Sequence, residues 1–156
     1  MKIEFMQRAI QLSLENMRKG SGGPFGAVIV KNGKILGEGW NQVTSTNDPS
    51  AHAEVVAIRE ACKNLNHFDL EGESEIYCSC EPCPMCLSAI YWARIDKIYY
   101  ANTRQDAANI GFDDEFLYQE IVRPLPDRKV PIRQYCREEA QAVFTEWMQK
   151  TDKVLY

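Results

Sequence analysis

Apolar side chains near the start of the chain recur at intervals of three and four residues, at Ile3, Met6, Ile10, Leu14 and Met17. This spacing places them on one face of a helix and predicts an amphipathic helix over residues 2–19. Residues 20–24 are rich in glycine and include a proline, which predicts that the helix ends there.

Shorter apolar segments follow and alternate with polar turns. Residues 25–30 and 35–40 flank an Asn-Gly pair, which is typical of a hairpin, so we expect two antiparallel strands. The pattern predicts two further strands, over 74–80 and 97–101. Further helices are predicted over residues 51–65, 81–92, 103–110 and 138–149. The alternating order indicates an α/β fold in which helices cover both faces of a central sheet.

Length and charge narrow the class of protein. The 156 residues suit one compact domain, so we treat 1–156 as a single domain. Lys and Arg number 18 against 22 Asp and Glu, and the net charge of −4 disfavours nucleic acid as the main partner. No apolar run approaches the roughly 18 residues needed to cross a membrane, and the first residues lack the apolar core of a signal peptide. We therefore expect a cytoplasmic protein without membrane association.

Four of the six cysteines crowd into residues 78–86, which in a chain without a visible export signal favours a metal site over disulfides. Cys83 and Cys86 are three residues apart, so on a helix both thiols face one side and can share a metal ion. They fall in the first turn of a predicted helix, where the helix dipole favours the thiolate.

A second predicted helix begins near His52-Ala53-Glu54, which offers an imidazole and a carboxylate. Residues two apart point in different directions on the flank of a helix. His52 and Glu54 can therefore share a site only if it lies off the end of that helix. We expect two helix N-termini to converge on one metal ion.

The two segments together form the pattern H-x-E … P-C-x-x-C of zinc-dependent deaminases, completed by Pro82-Cys83-Pro84-Met85-Cys86. In these motifs the chain resembles the cytidine/deoxycytidylate deaminase superfamily. The resemblance implies a three-layer α/β/α fold with a central mixed five-stranded sheet, and one Zn²⁺ per subunit held by His52, Cys83 and Cys86. It also implies that Glu54 is catalytic, taking a proton from the attacking water and passing it to a ring nitrogen.

A closed Cys₃His zinc site is the alternative interpretation, with Cys80 as the fourth ligand, because Cys80 and Cys83 also form a C-x-x-C pair. Such a site would be structural, whereas a catalytic zinc ion keeps one position open for water. Glu54 favours the catalytic interpretation, since a structural site has no use for a carboxylate two residues from its histidine.

The substrate class rests on longer stretches of resemblance. Residues 22–30, 46–49 and 89–94 are similar to both tRNA adenosine deaminases and bacterial guanine deaminases, and residues 107–121 are similar to the guanine deaminases. The resemblance covers essentially the whole chain and implies hydrolytic deamination of guanine to xanthine and ammonia. Cytosine, ammeline and tRNA adenosine are the alternative substrates, and the negative net charge counts against tRNA.

The resemblance also implies residues that contact the base. Asp114 is expected to bind guanine and to move a proton as a second catalytic residue, with Asp113 beside it, although the two could instead cap the next helix. Asn41 carries both a donor and an acceptor for the edge of the base. The other expected substrate contacts are Phe25, Ala53, Trp92 and Phe112. Of these, Phe25 and Trp92 could instead belong to the core.

A separate expectation concerns the C-terminal segment of the chain. Residues 121–135 contain three prolines and are expected to be extended. In related guanine deaminases the C-terminal segment exchanges between subunits, and its last Tyr closes the active site. The resemblance therefore implies a homodimer in which 121–156 is exchanged and Tyr156 closes the site of the partner. A frayed terminus is the alternative.

Overall fold

The computed structural model describes residues 2–155, so the expectation for Tyr156 lies outside the described residues. The chain forms two compact units, residues 1–114 and residues 115–156. The elements of the first unit are α1 (Ile3–Arg18), β1 (Gly26–Lys31), β2 (Lys34–Trp40), α2 (Val43–Thr46), α3 (Ala53–Leu65), β3 (Ser74–Cys80), α4 (Pro84–Trp92), β4 (Lys97–Asn102) and α5 (Arg104–Asn109). Within residues 2–155, no helix is long and apolar enough to cross a membrane.

One mixed sheet organises the first unit, with the strand order β2-β1-β3-β4. The strand β1 pairs antiparallel with β2 and β3, whereas β3 and β4 are parallel. The α/β class and the mixed sheet are confirmed, but in the described part of the chain the sheet has four strands, and the expectation of five is wrong. The residues after β4 form helices and turns, and Pro124, Pro126 and Pro131 lack the N–H donors that a further ladder would need.

Side chains of the sheet alternate between two apolar layers, because successive residues of a strand point to opposite faces. On one face, Val28 and Tyr77 pack in a cluster with α1. On the other face, Ile29 and Ile76 pack in a cluster with α3 and α4. Helices therefore cover both faces of the sheet, as the order of elements predicts.

The structure confirms the first predicted helix as α1, but this helix buries a different face from the apolar one seen in the sequence. Phe5, Ala9 and Leu12 are buried, whereas Ile10, in the middle of the expected stripe, is 44% exposed. Close approach to the sheet explains the choice, since a Cβ added at Gly26 would lie 2.3 Å from the backbone oxygen of Ala9. Small residues are needed at this contact, and they decide which side of α1 faces inward.

Glycines of β2 let α3 lie directly on the sheet. A Cβ added at Gly37 would lie 2.6 Å from the backbone oxygen of Ala57, and one added at Gly39 would lie 2.2 Å from that of Ala53. The helix presents only alanines at this contact, since Ala53, Ala57 and Ala61 are at most 1% exposed. The small residues on both sides set how closely the N-terminus of α3 approaches the end of β2.

The ends of several elements meet at one edge of the sheet. The parallel strands β3 and β4 end there at Cys80 and Asn102, which are paired in the ladder. The strand β1 begins at the same edge and β2 ends there, because β1 is antiparallel to both β2 and β3. The chain therefore brings four strand ends to the place where the cysteine motif begins.

The second unit consists of α6 (Glu115–Val122), a 3₁₀ helix (Leu125–Asp127) and α7 (Arg137–Gln149). None of its described residues is buried. Large apolar side chains such as Phe144 and Met148 are 72% and 67% exposed. This segment forms helices without forming a core of its own.

Candidate active site

Two helices present their first residues to the same place. The N-cap residue is His52 for α3 and Cys83 for α4, and both have an extended backbone. Neither side chain caps its own helix, although N-cap positions favour side chains that do so. The two side chains approach each other instead, with Cys83 Sγ 3.6 Å from His52 Nδ1. The structure thus brings the two helix N-termini together, as the sequence predicts.

His52, Cys83 and Cys86 form a compact group whose ligand atoms all lie within 4.8 Å of one another. The distance from His52 Nδ1 is 3.6 Å to Cys83 Sγ and 3.5 Å to Cys86 Sγ. Tetrahedral zinc, with Zn–N of about 2.0 Å and Zn–S of about 2.3 Å, requires an N···S separation of roughly 3.6 Å. The donor set and its spacing therefore fit one zinc ion with three protein ligands.

The charge on Cys83 supports the same interpretation. The side chains of Cys86 and His52 both hydrogen-bond to its sulfur, which lowers the pKa of Cys83 to about 4. The N-terminus of α4 favours a negative charge at this position as well. The thiolate is the form of cysteine that binds a metal. In this pair of cysteines Cys83 holds the negative charge, whereas the hydrogen bond to Cys83 and burial raise the pKa of Cys86.

Glu54 lies in the first turn of α3, is 8% exposed, and lines the cavity beside the ligand group. His52 precedes the helix whereas Glu54 lies within it, so side chains two residues apart reach the same site. Burial raises the pKa of Glu54, and the side chain of Cys86 hydrogen-bonds to its carboxylate. A carboxyl group with a raised pKa is suited to take up a proton and return it.

Cys80 lies apart from this group. Its thiol donates to the backbone oxygen of Thr103 at 3.6 Å, and burial raises the pKa of Cys80 to about 11. Among the described residues, the group with metal-ligand spacing contains His52, Cys83 and Cys86 and does not include Cys80. This arrangement does not support a closed Cys₃His site.

A cavity of about 580 Å³ opens beside the ligand group. Its walls include most of the residues expected to contact a base, namely Phe25, Asn41, Phe112, Asp113 and Asp114. Cys80, Glu81 and Arg104 also line it, although the sequence analysis did not single them out for this role. Their position could have identified them, because Cys80 ends β3, Glu81 follows it, and Arg104 comes shortly after the end of the parallel neighbour β4.

The aromatic and amide walls are held by contacts within the protein. Phe25 and Phe112 meet edge to face, with ring centroids 4.9 Å apart. The Oδ1 atom of Asn41 accepts hydrogen bonds from the N–H of Gly23 at 3.1 Å and of Val43 at 3.4 Å. Because this acceptor is used inside the protein, the Nδ2 donor is the group that Asn41 can offer to a ligand.

Asp114 is the partly buried member of the aspartate pair. Burial raises the pKa of Asp114, and the negative charge of Cys83 raises it further, whereas the positive charge of Arg104 acts in the opposite direction. Asp114 therefore lies within electrostatic reach of the ligand group. It is placed to act on a molecule bound beside Cys83.

Two of the expected contacts, Ala53 and Trp92, lie away from the cavity. Ala53 is 1% exposed beneath the start of α3 and does not line the cavity. Trp92 is 69% exposed at the last turn of α4 and does not line the cavity either. It lies about 13 Å along the helix axis from Cys83, so its position does not support stacking on a base in the cavity of its own chain. Tyr156 lies outside the described residues.

The chain is similar to known proteins over most of its length. The chain is 51% identical over 152 residues to the guanine deaminase of Bacillus subtilis, and the match covers 97% of each chain. It is 34% identical over 146 residues to the tRNA-specific adenosine deaminase of Aquifex aeolicus, covering 94% of this chain and 93% of the relative. The crystal structure of the Bacillus subtilis guanine deaminase superposes with a TM-score of 0.96 at 50% identity, covering 100% of this chain and 99% of that one.

The family model described as the cytidine and deoxycytidylate deaminase zinc-binding region matches residues 1–102. This range contains the ligand group, Glu54 and the sheet that positions them. The chain therefore belongs to the cytidine and deoxycytidylate deaminase family.

Proposed function

We propose that the chain catalyses the zinc-dependent hydrolytic deamination of guanine to xanthine and ammonia, with His52, Cys83 and Cys86 as the zinc ligands. The observation that carries the proposal is the buried Glu54 beside three ligand atoms with zinc spacing at one cavity. The identity of 51% with a guanine deaminase over nearly the whole chain supports guanine as the substrate.

The reaction replaces the amino group of guanine with the oxygen of water. A bond forms between the water oxygen and ring carbon 2, the bond to the amino nitrogen breaks, and ammonia leaves. Zinc, when bound, lowers the pKa of water to about 7. Glu54 takes a proton from the attacking water, delivers it to the ring nitrogen, and then helps to protonate the leaving amine. Its burial suits this exchange, since burial raises the pKa of Glu54 and so favours the proton-bound form.

The cavity walls match the hydrogen-bonding groups of guanine. The ring N1–H and the amino group are donors, and the carboxylate of Asp114 is an acceptor with which both can pair. The Nδ2 group of Asn41 donates to an acceptor of the ring. Phe25 and Phe112 supply apolar surface for the faces of the base. Cytosine carries a C–H where guanine has N1–H, so it would leave Asp114 with a hydrogen bond unmade.

We expect purified zinc-loaded protein to release ammonia from guanine with a kcat/KM at least about 10²-fold above that for cytosine or ammeline, because a buried polar site rejects analogues that leave it unpaired. Ammonia release from each compound, and from tRNA containing the target adenosine, is the measurement. Protein treated with a chelator is the control and should be inactive. A faster reaction with tRNA adenosine or with cytosine would overturn the assignment of guanine.

We also propose a homodimer with an exchanged segment 121–156, in a cytoplasmic location. Support comes from the surfaces that a single chain leaves uncovered, since no described residue after position 114 is buried. Exposed apolar residues of this kind mark surfaces that pack on another molecule. Free cysteine ligands require reducing conditions, which supports the location.

Mixing two inactive variants tests the exchange and the role of Tyr156 together. We expect Glu54→Gln and a chain lacking Tyr156 each to be impaired, and their mixture to recover about a quarter of full activity after subunit exchange. Recovery arises because the truncated subunit keeps an intact site that the tail of its partner can close. Mixing Glu54→Gln with Cys83→Ser is the control, since two defective sites cannot complement each other. Full activity of the truncated chain, or no recovery, would rule out a site closed by the partner.

A further inference from the structure

We propose that Asp48 is a positioning residue for the zinc ligand His52. Its Oδ1 atom holds the turn 48–52 in the shape that directs the imidazole at Cys83 and Cys86. This inference rests on zinc binding by the proposed ligands, and it does not depend on which base is deaminated.

The turn is built around the side chain of Asp48. Its Oδ1 atom accepts two hydrogen bonds from Ser50, one from the backbone N–H at 2.8 Å and one from the hydroxyl at 2.6 Å. The backbone oxygen of Asp48 accepts a further bond from the N–H of Ala51 at 3.1 Å. The first position of a β-turn favours aspartate and the second favours proline. Asp48 and Pro49 occupy these two positions.

The turn is hydrogen-bonded directly to the backbone of His52. The backbone oxygen of Ser50, the residue that Asp48 holds, accepts the N–H of His52 at 2.8 Å. The backbone oxygen of Ala51 accepts the N–H of Gln42 at 2.9 Å, which ties the turn to the chain that leaves β2. His52 makes no side-chain cap to α3, so the direction of its imidazole depends on the backbone that leads into the helix. Pro49 lines the cavity, so the same turn also shapes a wall of the site.

The two oxygens of Asp48 have different partners. Oδ2 faces Arg59 of α3, with an N···O distance of 3.4 Å and the Arg59 side chain 60% exposed. Ion pairs this exposed contribute little, because water screens them and long side chains lose entropy. The hydrogen bonds at Oδ1, rather than the ion pair at Oδ2, should therefore determine how His52 is positioned. An asparagine at position 48 keeps an acceptor oxygen for Ser50, while it loses the charge and replaces Oδ2 with an amide nitrogen that cannot accept from Arg59.

Zinc release from the holoenzyme tests the proposal without any substrate. We expect Asp48→Ala to release zinc to a chromophoric chelator about tenfold faster than the unchanged protein. Tenfold is the lower end of the loss of metal affinity that follows when a group orienting a ligand is removed. Asp48→Asn should restore slow release, and Arg59→Gln, the matched control for the ion pair, should leave it unchanged. The visible spectrum of the cobalt-substituted protein should shift in Asp48→Ala alone among these three, because it reports ligand geometry.

A second variant covers the case in which Asp48→Ala does not fold. Ser50→Ala removes the 2.6 Å hydroxyl donor and keeps the backbone donor, so a smaller acceleration of zinc release is expected. Equal release rates in Asp48→Ala and Arg59→Gln would overturn the proposal. Release from Asp48→Asn as fast as from Asp48→Ala would also overturn it, since the charge would then be responsible. Failure of guanine turnover with slow zinc release would instead contradict only the proposed substrate.

Discussion

Replacing Glu54 with Gln is expected to lower kcat by about 10²- to 10⁴-fold, the range that a positioned acid–base group contributes, while zinc stays bound. The amide has nearly the same shape as the carboxyl group, so it should fill the same buried position beside the zinc ligands. It cannot take up a proton from water and return it. Steady-state kinetics together with the zinc content of the purified variant are the measurement.

The matched control is Glu81→Gln, which changes a second carboxylate of the same cavity. Glu81 accepts the backbone N–H of Arg104 at 3.1 Å, and glutamine can continue to accept it. We expect only a small change in kcat for this variant. Loss of zinc from Glu54→Gln would assign Glu54 to metal binding, and retention of most activity would remove it from the proposed chemistry.

Replacing Gly39 with Ala is expected to destabilise the protein by about 3 kcal/mol, at the upper end of what overpacking costs. The added Cβ would lie 2.2 Å from the backbone oxygen of Ala53, so α3 must shift away from β2. Replacing glycine with alanine also restricts the unfolded chain, but that gain of about 0.4–1 kcal/mol is smaller than the clash. Urea denaturation of the zinc-loaded protein measures the free energy of unfolding.

The same variant should also weaken the metal site. The residue that Gly39 touches, Ala53, lies between His52 and Glu54, so a displaced helix moves a proposed ligand and the proposed base together. Glu38→Ala is the control on the same strand. It removes a pair with Arg8 at 2.7 Å, in which both side chains are about one third exposed, and should cost less than about 1 kcal/mol. A cost for Gly39→Ala no larger than that of Glu38→Ala would contradict the close packing of α3 on β2.

Local sequence patterns were sufficient for most of the elements, although not for the short helix α2, and for the ligand group. The Asn32-Gly33 pair requires a tight turn, and the structure has positive φ at both residues between β1 and β2. The spacing of Cys83 and Cys86 follows from one turn of helix, and the two-residue spacing of His52 and Glu54 required a site beyond the helix end. These features depend on backbone geometry over a few residues, so the sequence alone can predict them.

Contacts between distant segments decided the rest. The face that α1 buries depends on Gly26 of β1, which no periodicity within residues 2–19 can reveal. The acceptor of Asn41 is taken by Gly23 and Val43, and the thiol of Cys80 turns to Thr103 rather than to the ligands. Sequence by itself determined the three ligand groups and the carboxylate that this protein brings to its site. Only the tertiary structure decided which of their atoms face the cavity, because the hydrogen bonds and close contacts that orient them join segments far apart in the chain.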